Sequence, residues 1–383
     1  MNQLRIMSVF GTRPEAIKMA PLVHELAKRT EIQSLCCITA QHREMLDNVL
    51  EVFGLTPDWD LNVMTPRQTL SGITSRCLIG MDEAIEALRP DMILVHGDTS
   101  TTLAGALSAF YHKIPIGHVE AGLRTYDKYA PYPEEMNRKL VTALADLYFC
   151  PTRGNWENLR REGIQENAFV TGNTVIDALK MTVQKKYRFK TPLLNQLPYD
   201  SKRVLLVTCH RRENYGTPMQ NIMEALGDIA QSHEDVEIVY PVHLSPIVQE
   251  MAERYLRGLP RVHLIAPLTA DEMHNLMARC YLVLTDSGGI QEEAPALGKP
   301  VLVLRRETER PEAIAAGTVK LAGVDRQMIY TMAHQLLTNE NVYAEMAHAV
   351  NPYGDGNACR RIADAVLWRF GMGERPADFV GKA

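Results

Sequence analysis

The sequence predicts an α/β protein built from two doubly wound parallel sheets. Short apolar runs alternate with helical segments along the whole chain, and many of the runs end in turns rich in glycine, proline or polar residues. A basic, proline-containing stretch, Lys185–Pro198, interrupts that alternation midway and marks the linkage between two halves. At 383 residues the chain has room for two domains of ordinary size.

The first βα unit is Arg5–Phe10 followed by Gly11-Thr12-Arg13-Pro14, with Ile17, Pro21, Leu22 and Leu26 continuing as a helix that has Pro14 near its start. Further strands are expected at Ser34–Thr39, Met92–His96, Ile116–Val119 and Leu147–Cys150. Helices are expected at Leu70–Leu88, Thr99–Phe110 and Glu134–Ala145. After Val170-Thr171-Gly172-Asn173 comes a helix from Val175. The second half repeats the pattern, with strands at Arg203–Thr208, Val236–Tyr240, Val262–Ile265, Leu282–Thr285 and Pro300–Leu304. Ile222, Leu226 and Ile229 form the apolar face of a helix between the first two. A last helix, Ala358–Phe370, follows a glycine turn that suits a return of the chain to the first half. The expected division is 1–170, 171–360 and a returning C-terminal helix at 361–383.

Composition narrows the partners. A hydrophobic fraction of 46% with 23% charged residues is that of a soluble globular chain, and a net charge of −5 argues against nucleic acid or an anionic membrane. The seven cysteines show no C-x-x-C pair, so they read as reduced thiols. Neither a signal-peptide core nor a long apolar run occurs, and a cytoplasmic protein is expected. There is no G-x-G-x-x-G, no Walker A sequence and no G-x-S-x-G elbow. His96, His118, His210 and His243 sit on separate strand ends rather than at metal-ligand spacing, so neither metal nor cofactor is expected.

In open α/β sheets ligands bind beyond the carboxyl ends of the strands. Those positions hold Arg13, Glu15 and Lys18, then His96-Gly97-Asp98-Thr99, then His118 and Glu120–Arg124; in the second half they hold His210–Glu213, His243 and Arg305–Arg310. The block Thr285–Pro295 reads as a strand breaking into glycines and opening a helix. Ser287 is placed to cap, and Gly288 and Gly289 let backbone N–H groups approach an anion. Of Glu292 and Glu293 in the first turn, at least one should face another group, such as a ribose hydroxyl. The pattern implies a cleft holding a phosphorylated, hydroxyl-rich ligand, with carboxylates and histidine for acid–base work. Plainer readings exist for each residue. Asp98 also reads as a helix cap, Glu120 and Glu134 as ion-pair partners of Arg124 and Arg138, His210 as part of a charged strand end, and His243 as a satisfied loop histidine.

Taken in order, Gly11–Lys18, His96–Thr99, His118–Arg124, Pro133-Glu134-Glu135, His210–Asn214, Asp286–Pro295 and Thr308–Glu312 resemble the non-hydrolysing UDP-N-acetylglucosamine 2-epimerases of bacteria, nearly end to end. The resemblance implies two Rossmann-like domains facing a central cleft, as in GT-B glycosyltransferases and glycogen phosphorylase, usually in a homodimer. It implies reversible epimerisation at C2 of a UDP-sugar, for surface polysaccharide precursors. Because C2 lies beside no ring carbonyl, inversion needs either transient oxidation or elimination of UDP across C1–C2. With no dinucleotide fingerprint, elimination through 2-acetamidoglucal is the consistent route.

Carried over by motif, Asp98, Glu120 and Glu134 are the acid–base carboxylates and His210 the histidine near the diphosphate. Arg13, Lys18, Ser287, Gly288, Gly289, Glu293 and Arg310 match substrate contacts. Gln41, Glu44, Arg67, Arg211 and His243, with Glu134, fall where related enzymes bind a second UDP-N-acetylglucosamine as activator, although Glu44 stands where glutamine is frequent. Two departures concern the nucleotide: Ala266–His274 lacks the usual aromatic and glutamine near the uracil, and Cys209 precedes His210 in place of glycine or alanine. Looser nucleotide specificity or weaker affinity is expected. A hydrolysing epimerase, a GT-B glycosyltransferase and a non-catalytic nucleotide-sugar sensor are the alternatives.

Overall fold

A computed structural model describes residues 3–40, 43–65 and 68–381. The chain forms two compact units, Met1–Met181 with Tyr353–Val380, and Thr182–Pro352. The first contains seven strands, β1 (Leu4–Phe10), β2 (Ile32–Ile38), β3 (Trp59–Asp60), β4 (Met92–His96), β5 (Ile116–Val119), β6 (Leu147–Cys150) and β7 (Ala168–Val170). All neighbours pair in parallel, in the order β3-β2-β1-β4-β5-β6-β7. The order reverses between β1 and β4, the position where open sheets bind ligands.

Strands buried on both faces read as continuous apolar runs rather than alternating ones. In β1, Ile6 and Phe10 join a core with the helix Arg13–Ala27, while Met7 and Val9 join a second core with Leu70–Leu88 and Ser100–Tyr111 on the opposite face. The helix Ala358–Arg369 belongs to the first of these cores: Cys359, Ile362, Ala363 and Val366 cluster with Phe10, Met19 and Leu22. Its start is fixed from Thr174–Thr182, whose buried Asp177 accepts the backbone N–H groups of Ala358 at 3.2 Å and Cys359 at 3.0 Å. The tail beyond it covers the outer edge of β7, with Phe379 N donating to Val170 O at 2.6 Å and Val170 N donating to Asp378 Oδ1 at 3.0 Å. Covering an edge in this way withholds it from pairing with other chains.

The second unit holds β8 (Arg203–Thr208), β9 (Val236–Pro241), β10 (Val262–Ile265), β11 (Leu282–Thr285), β12 (Val301–Val303) and β13 (Val319–Leu321), all parallel in the order β10-β9-β8-β11-β12-β13. Ile222, Leu226 and Ile229 of the helix Thr217–Ser232 are fully buried against Leu205, Val207 and Ile238. The basic stretch 185–198 packs on the helix Ala270–Arg279. There Thr191 N donates to Glu272 Oε1 at 2.8 Å, and the Arg279 guanidinium lies 4.9 Å from the Phe189 ring.

Some of the elements unforeseen from sequence are short or polar, whereas others, the helices Pro246–Leu256 and Arg326–Thr338 among them, carry buried apolar faces. β3 has two residues and β13 three with Lys320 at its centre, too few for a periodic signal, and the helix Arg153–Arg161 is mostly polar. Arg43–Phe53, by contrast, buries Leu46, Val49, Leu50 and Phe53 at a helical spacing missing from the expected elements. Asp177→Ala leaves two buried N–H groups without their acceptor and is expected to destabilise the protein by about 1–3 kcal/mol. Urea unfolding of the two proteins side by side measures this, and an unchanged midpoint would contradict it.

Candidate active site

In the first unit the segments after β1, β4 and β5 carry Arg13, Lys18, Asp98 and Glu120, the residues singled out from sequence. The helix Arg13–Ala27 opens with a capping box: Glu15 Oε2 accepts Thr12 N at 2.8 Å, Thr12 Oγ1 at 2.7 Å and Gly11 N at 3.2 Å. Its Oε1 accepts Thr99 Oγ1 at 2.7 Å, which ties the loop after β1 to the loop after β4. Burial pushes the Glu15 acid above its ordinary range, against the pull of these bonds. Arg13 and Lys18 are half-buried on the same helix.

Thr99, not Asp98, caps the helix Ser100–Tyr111, accepting Thr102 N at 3.2 Å. Asp98 is thereby left to Arg138, whose Nε donates to Oδ2 at 2.8 Å, while Asn137 Nδ2 donates to the Asp98 carbonyl at 2.7 Å. Arg138 also donates to Glu135 Oε2 at 3.1 Å. Both plainer ion-pair readings fail on these partners: Arg124 is held by Glu162 through bonds of 2.8 and 2.7 Å, and Arg138 by Asp98 and Glu135. Glu134, at the start of the helix Glu134–Leu144, is half-buried, and its Oε2 has no hydrogen-bond partner among the described residues.

Glu120 adopts φ 62°, a left-handed conformation uncommon for non-glycine residues, although Arg89, Lys113 and other residues of this chain share it at turns and helix ends. Lys18 Nζ donates to its Oε1, Asn173 Nδ2 donates to the same atom at 3.3 Å, and His96 Nε2 lies 3.6 Å from Oε2. Gly97 makes room for it, since a Cβ there would stand 3.3 Å from Oε2. His96 and His118 are both buried, and burial pulls each imidazole down to about 4, so both are neutral at pH 7.

In the second unit the fully buried Asp286, just after β11, organises the loop after β8. Its Oδ2 accepts His210 N and Arg211 N, each at 2.7 Å, and Asn214 Nδ2 at 3.1 Å; its Oδ1 lies 3.5 Å from His210 Nδ1. The His210 ring stacks on His243 with centroids 5.0 Å apart and 9° between planes. Burial lowers the His210 pKa, Asp286 opposes that shift, and His243 and Arg211 add to it. His243 is exposed, and its Nδ1 accepts Ser245 N at 3.0 Å, so the satisfied-loop reading holds for that nitrogen while the ring packs on His210.

The glycine block opens the helix Ile290–Ala296 as expected, but Ser287 does not cap it. The cap position is Gly289, which has no side chain to bond with, and Ser287 instead donates its N–H to Thr285 Oγ1 at 2.9 Å. Neither Gly288 nor Gly289 has a positive φ, so backbone freedom does not explain them. A Cβ on Gly288 would lie 3.7 Å from Arg211 Nη2 and 3.9 Å from Arg310 Nη2. Two guanidiniums therefore converge on one bare stretch of backbone, an arrangement suited to phosphate oxygens. Gln291 braces it, donating to Ser287 O at 3.1 Å and accepting Thr308 Oγ1 at 2.6 Å, and Arg310 Nε donates to the buried Glu292. Glu293 faces His274, with Nε2 3.7 Å from its Oε2. Leu268 is buried and Met273 half-buried on the segment where the base contacts are in question.

Gln41, Arg67 and the side chain of Glu44 lie outside the described residues. The sequence assignment left out Glu15, His96, Asn173, His274 and Asp286. Glu15, His96 and Asp286 stand inside motifs already singled out, and their supporting role depends on burial and partners that spacing does not reveal. Among the described residues no group of three or more His, Cys, Asp or Glu could hold a metal ion, and no helix is long and apolar enough to cross a membrane.

These features define a protein of the two-Rossmann-domain class with polar, charge-paired loops at its strand ends. Residues 24–367 match the family model described as UDP-N-acetylglucosamine 2-epimerase. The UDP-N-acetylglucosamine 2-epimerase of Bacillus subtilis (strain 168) is 54% identical, with 100% of each chain covered. The S. aureus MnaA–UDP co-structure is 47% identical with a TM-score of 0.90, covering 99% of this chain and 100% of its own. The Neisseria meningitidis UDP-GlcNAc 2-epimerase bound to UDP-GlcNAc is 47% identical with a TM-score of 0.86, covering 95% and 100%. The chain belongs to the UDP-N-acetylglucosamine 2-epimerase family.

The buried histidines set a pH dependence. The unfolded chain takes protons on His96 and His118 near the ordinary value of 6.5 and the folded chain only near about 4, so stability falls as pH drops through that window. His118→Gln has nothing to titrate there, and its urea midpoint should fall less than that of the wild type between pH 7 and 4.5. Equal slopes would contradict the burial of a neutral His118.

Proposed function

We propose that this enzyme interconverts UDP-N-acetylglucosamine and UDP-N-acetylmannosamine by elimination and re-addition of UDP, without hydrolysis, supplying precursors of surface polysaccharide. The observation that carries this reading is the convergence of Arg211, which follows His210 in the chain, and Arg310 on the Gly288 backbone, a site suited to the charge that develops on a departing diphosphate. The similar protein from Neisseria meningitidis, solved with UDP-GlcNAc, supports the choice of substrate.

In the forward direction a carboxylate accepts the proton from C2. The C2–H electron pair becomes the C1=C2 double bond of 2-acetamidoglucal, and the C1–O bond breaks with its electrons leaving on UDP. Return of UDP oxygen to C1, with a proton delivered to C2 from the opposite face, gives the epimer. Arg13, Lys18, Ser287, Gly288, Gly289 and Arg310 are assigned to the nucleotide and phosphates, and Glu293 to the ribose. Asp98, Glu120 and Glu134 are assigned to proton transfer, with His210 beside the leaving group. No step draws on a cofactor.

In deuterated water, NMR should show deuterium entering C2 of both UDP-sugars without accumulation of free sugar. Asp98→Asn, Glu120→Gln and Glu134→Gln should each slow kcat by about 10²–10⁴-fold. Free N-acetylmannosamine in step with UDP release would instead establish hydrolysis.

A second UDP-N-acetylglucosamine is proposed as activator, with Gln41, Glu44, Arg67, Arg211 and His243 as its contacts, in a homodimeric enzyme. Reaction from UDP-N-acetylmannosamine alone should then begin with a lag that added UDP-N-acetylglucosamine abolishes. Hyperbolic kinetics without acceleration would remove the activator site.

A further inference from the structure

We infer that His96 is a positioning residue for Glu120, holding the carboxylate from behind with a neutral ring N–H; this deepens the epimerisation proposed above and rests on it. His96 ends β4, is 3% exposed, and has no hydrogen-bond partner for either ring nitrogen among the described residues. A buried polar ring left without partners is costly, and such groups in native proteins call for an explanation. The neighbour within reach is Glu120, whose Oε2 stands 3.6 Å from Nε2, a small adjustment short of a hydrogen bond. Two backbone features create this approach. Glu120 folds back in the left-handed region at φ 62°, and Gly97, also left-handed at φ 67°, leaves the space that a side chain would take.

The other carboxylate oxygen explains why a donor behind Oε2 matters. Oε1 is held by Lys18, a cation on the helix that follows the glycine turn after β1, and by Asn173. A diphosphate ligand competes for Lys18. Asn173 at one oxygen and His96 beside the other are neutral groups that such a ligand leaves in place. A neutral donor orients a base without the full positive charge that would weaken it. The charged and titratable groups facing His96 are Glu120, Lys18 and His118, and burial outweighs the attraction of Glu120 in keeping the imidazole uncharged, at about 4.

Kinetic and spectroscopic measurements test the role. His96→Phe should lower kcat about ten- to hundredfold, the worth of a hydrogen bond to a charged group, with KM little changed. Deuterium entry at C2 should slow in parallel, and the acid limb of the kcat profile should move to higher pH, because a carboxylate that loses a donor binds its proton more tightly. His96→Gln, which keeps an N–H, should recover much of the rate and the limb. Independently of turnover, long-range 15N spectra should show His96 neutral with the proton on Nε2 from pH 5.5 to 8, and Glu120→Gln should shift that resonance. A phenylalanine variant with wild-type kcat and pH profile, two variants impaired alike with the limb unmoved, or a His96 resonance indifferent to Glu120→Gln would each overturn the role. Wild-type enzyme that exchanges nothing at C2 would remove the proposed reaction and this role with it, whereas normal exchange with an insensitive His96 removes the role alone.

Discussion

Every strand pair in both sheets is parallel, and that constraint places the polar groups of this protein. A parallel sheet aligns the carboxyl ends of its strands along one edge, so the loops that follow them are brought together however far apart they lie in sequence. In the first unit this gathers Glu15 and Lys18 from after β1, Asp98 from after β4 and Glu120 from after β5. The bond between Glu15 and Thr99 spans 84 residues of sequence, and that between Lys18 and Glu120 spans 102. In the second unit it brings Asp286 beneath His210 and Arg211 across 76 and 75 residues.

The polar groups gathered there are expensive. Partly buried ion pairs such as Lys18–Glu120, Arg138–Asp98 and Arg310–Glu292 add little to stability once desolvation is counted, and a left-handed glutamate adds strain. On the proposed mechanism these are carboxylates oriented by donors, and cations available to an anionic ligand. Asp286 and Glu15 serve differently. Each accepts several backbone or hydroxyl donors and fixes a loop, so the residues bearing the chemistry inherit a defined position.

Much of this was legible in the sequence because parallel strands buried on both faces are plain apolar runs; β4, β5, β6, β8 and β11 coincide with such runs end to end. Two-residue β3 and lysine-centred β13 were not, since neither has enough residues to show a period. The motifs located Asp98, Glu120 and His210 but not their partners. Spacing suggested Arg124 and Arg138 as counter-ions to Glu120 and Glu134, whereas the fold gives Arg124 to Glu162 and Arg138 to Asp98 and Glu135. Ser287 looked like a cap because its residue type favours capping, but the helix begins after Gly289.

The central claim is that the bond between C1 and the nucleotide oxygen breaks and reforms during turnover. UDP-N-acetylglucosamine carrying 18O in that bridging position tests it most directly, read by the isotope shift on the β-phosphorus signal. If UDP departs and is recaptured, the label spreads into the non-bridging β-phosphate oxygens as the C2 epimers equilibrate. Label that stays wholly in the bridge while C2 inverts would contradict the account.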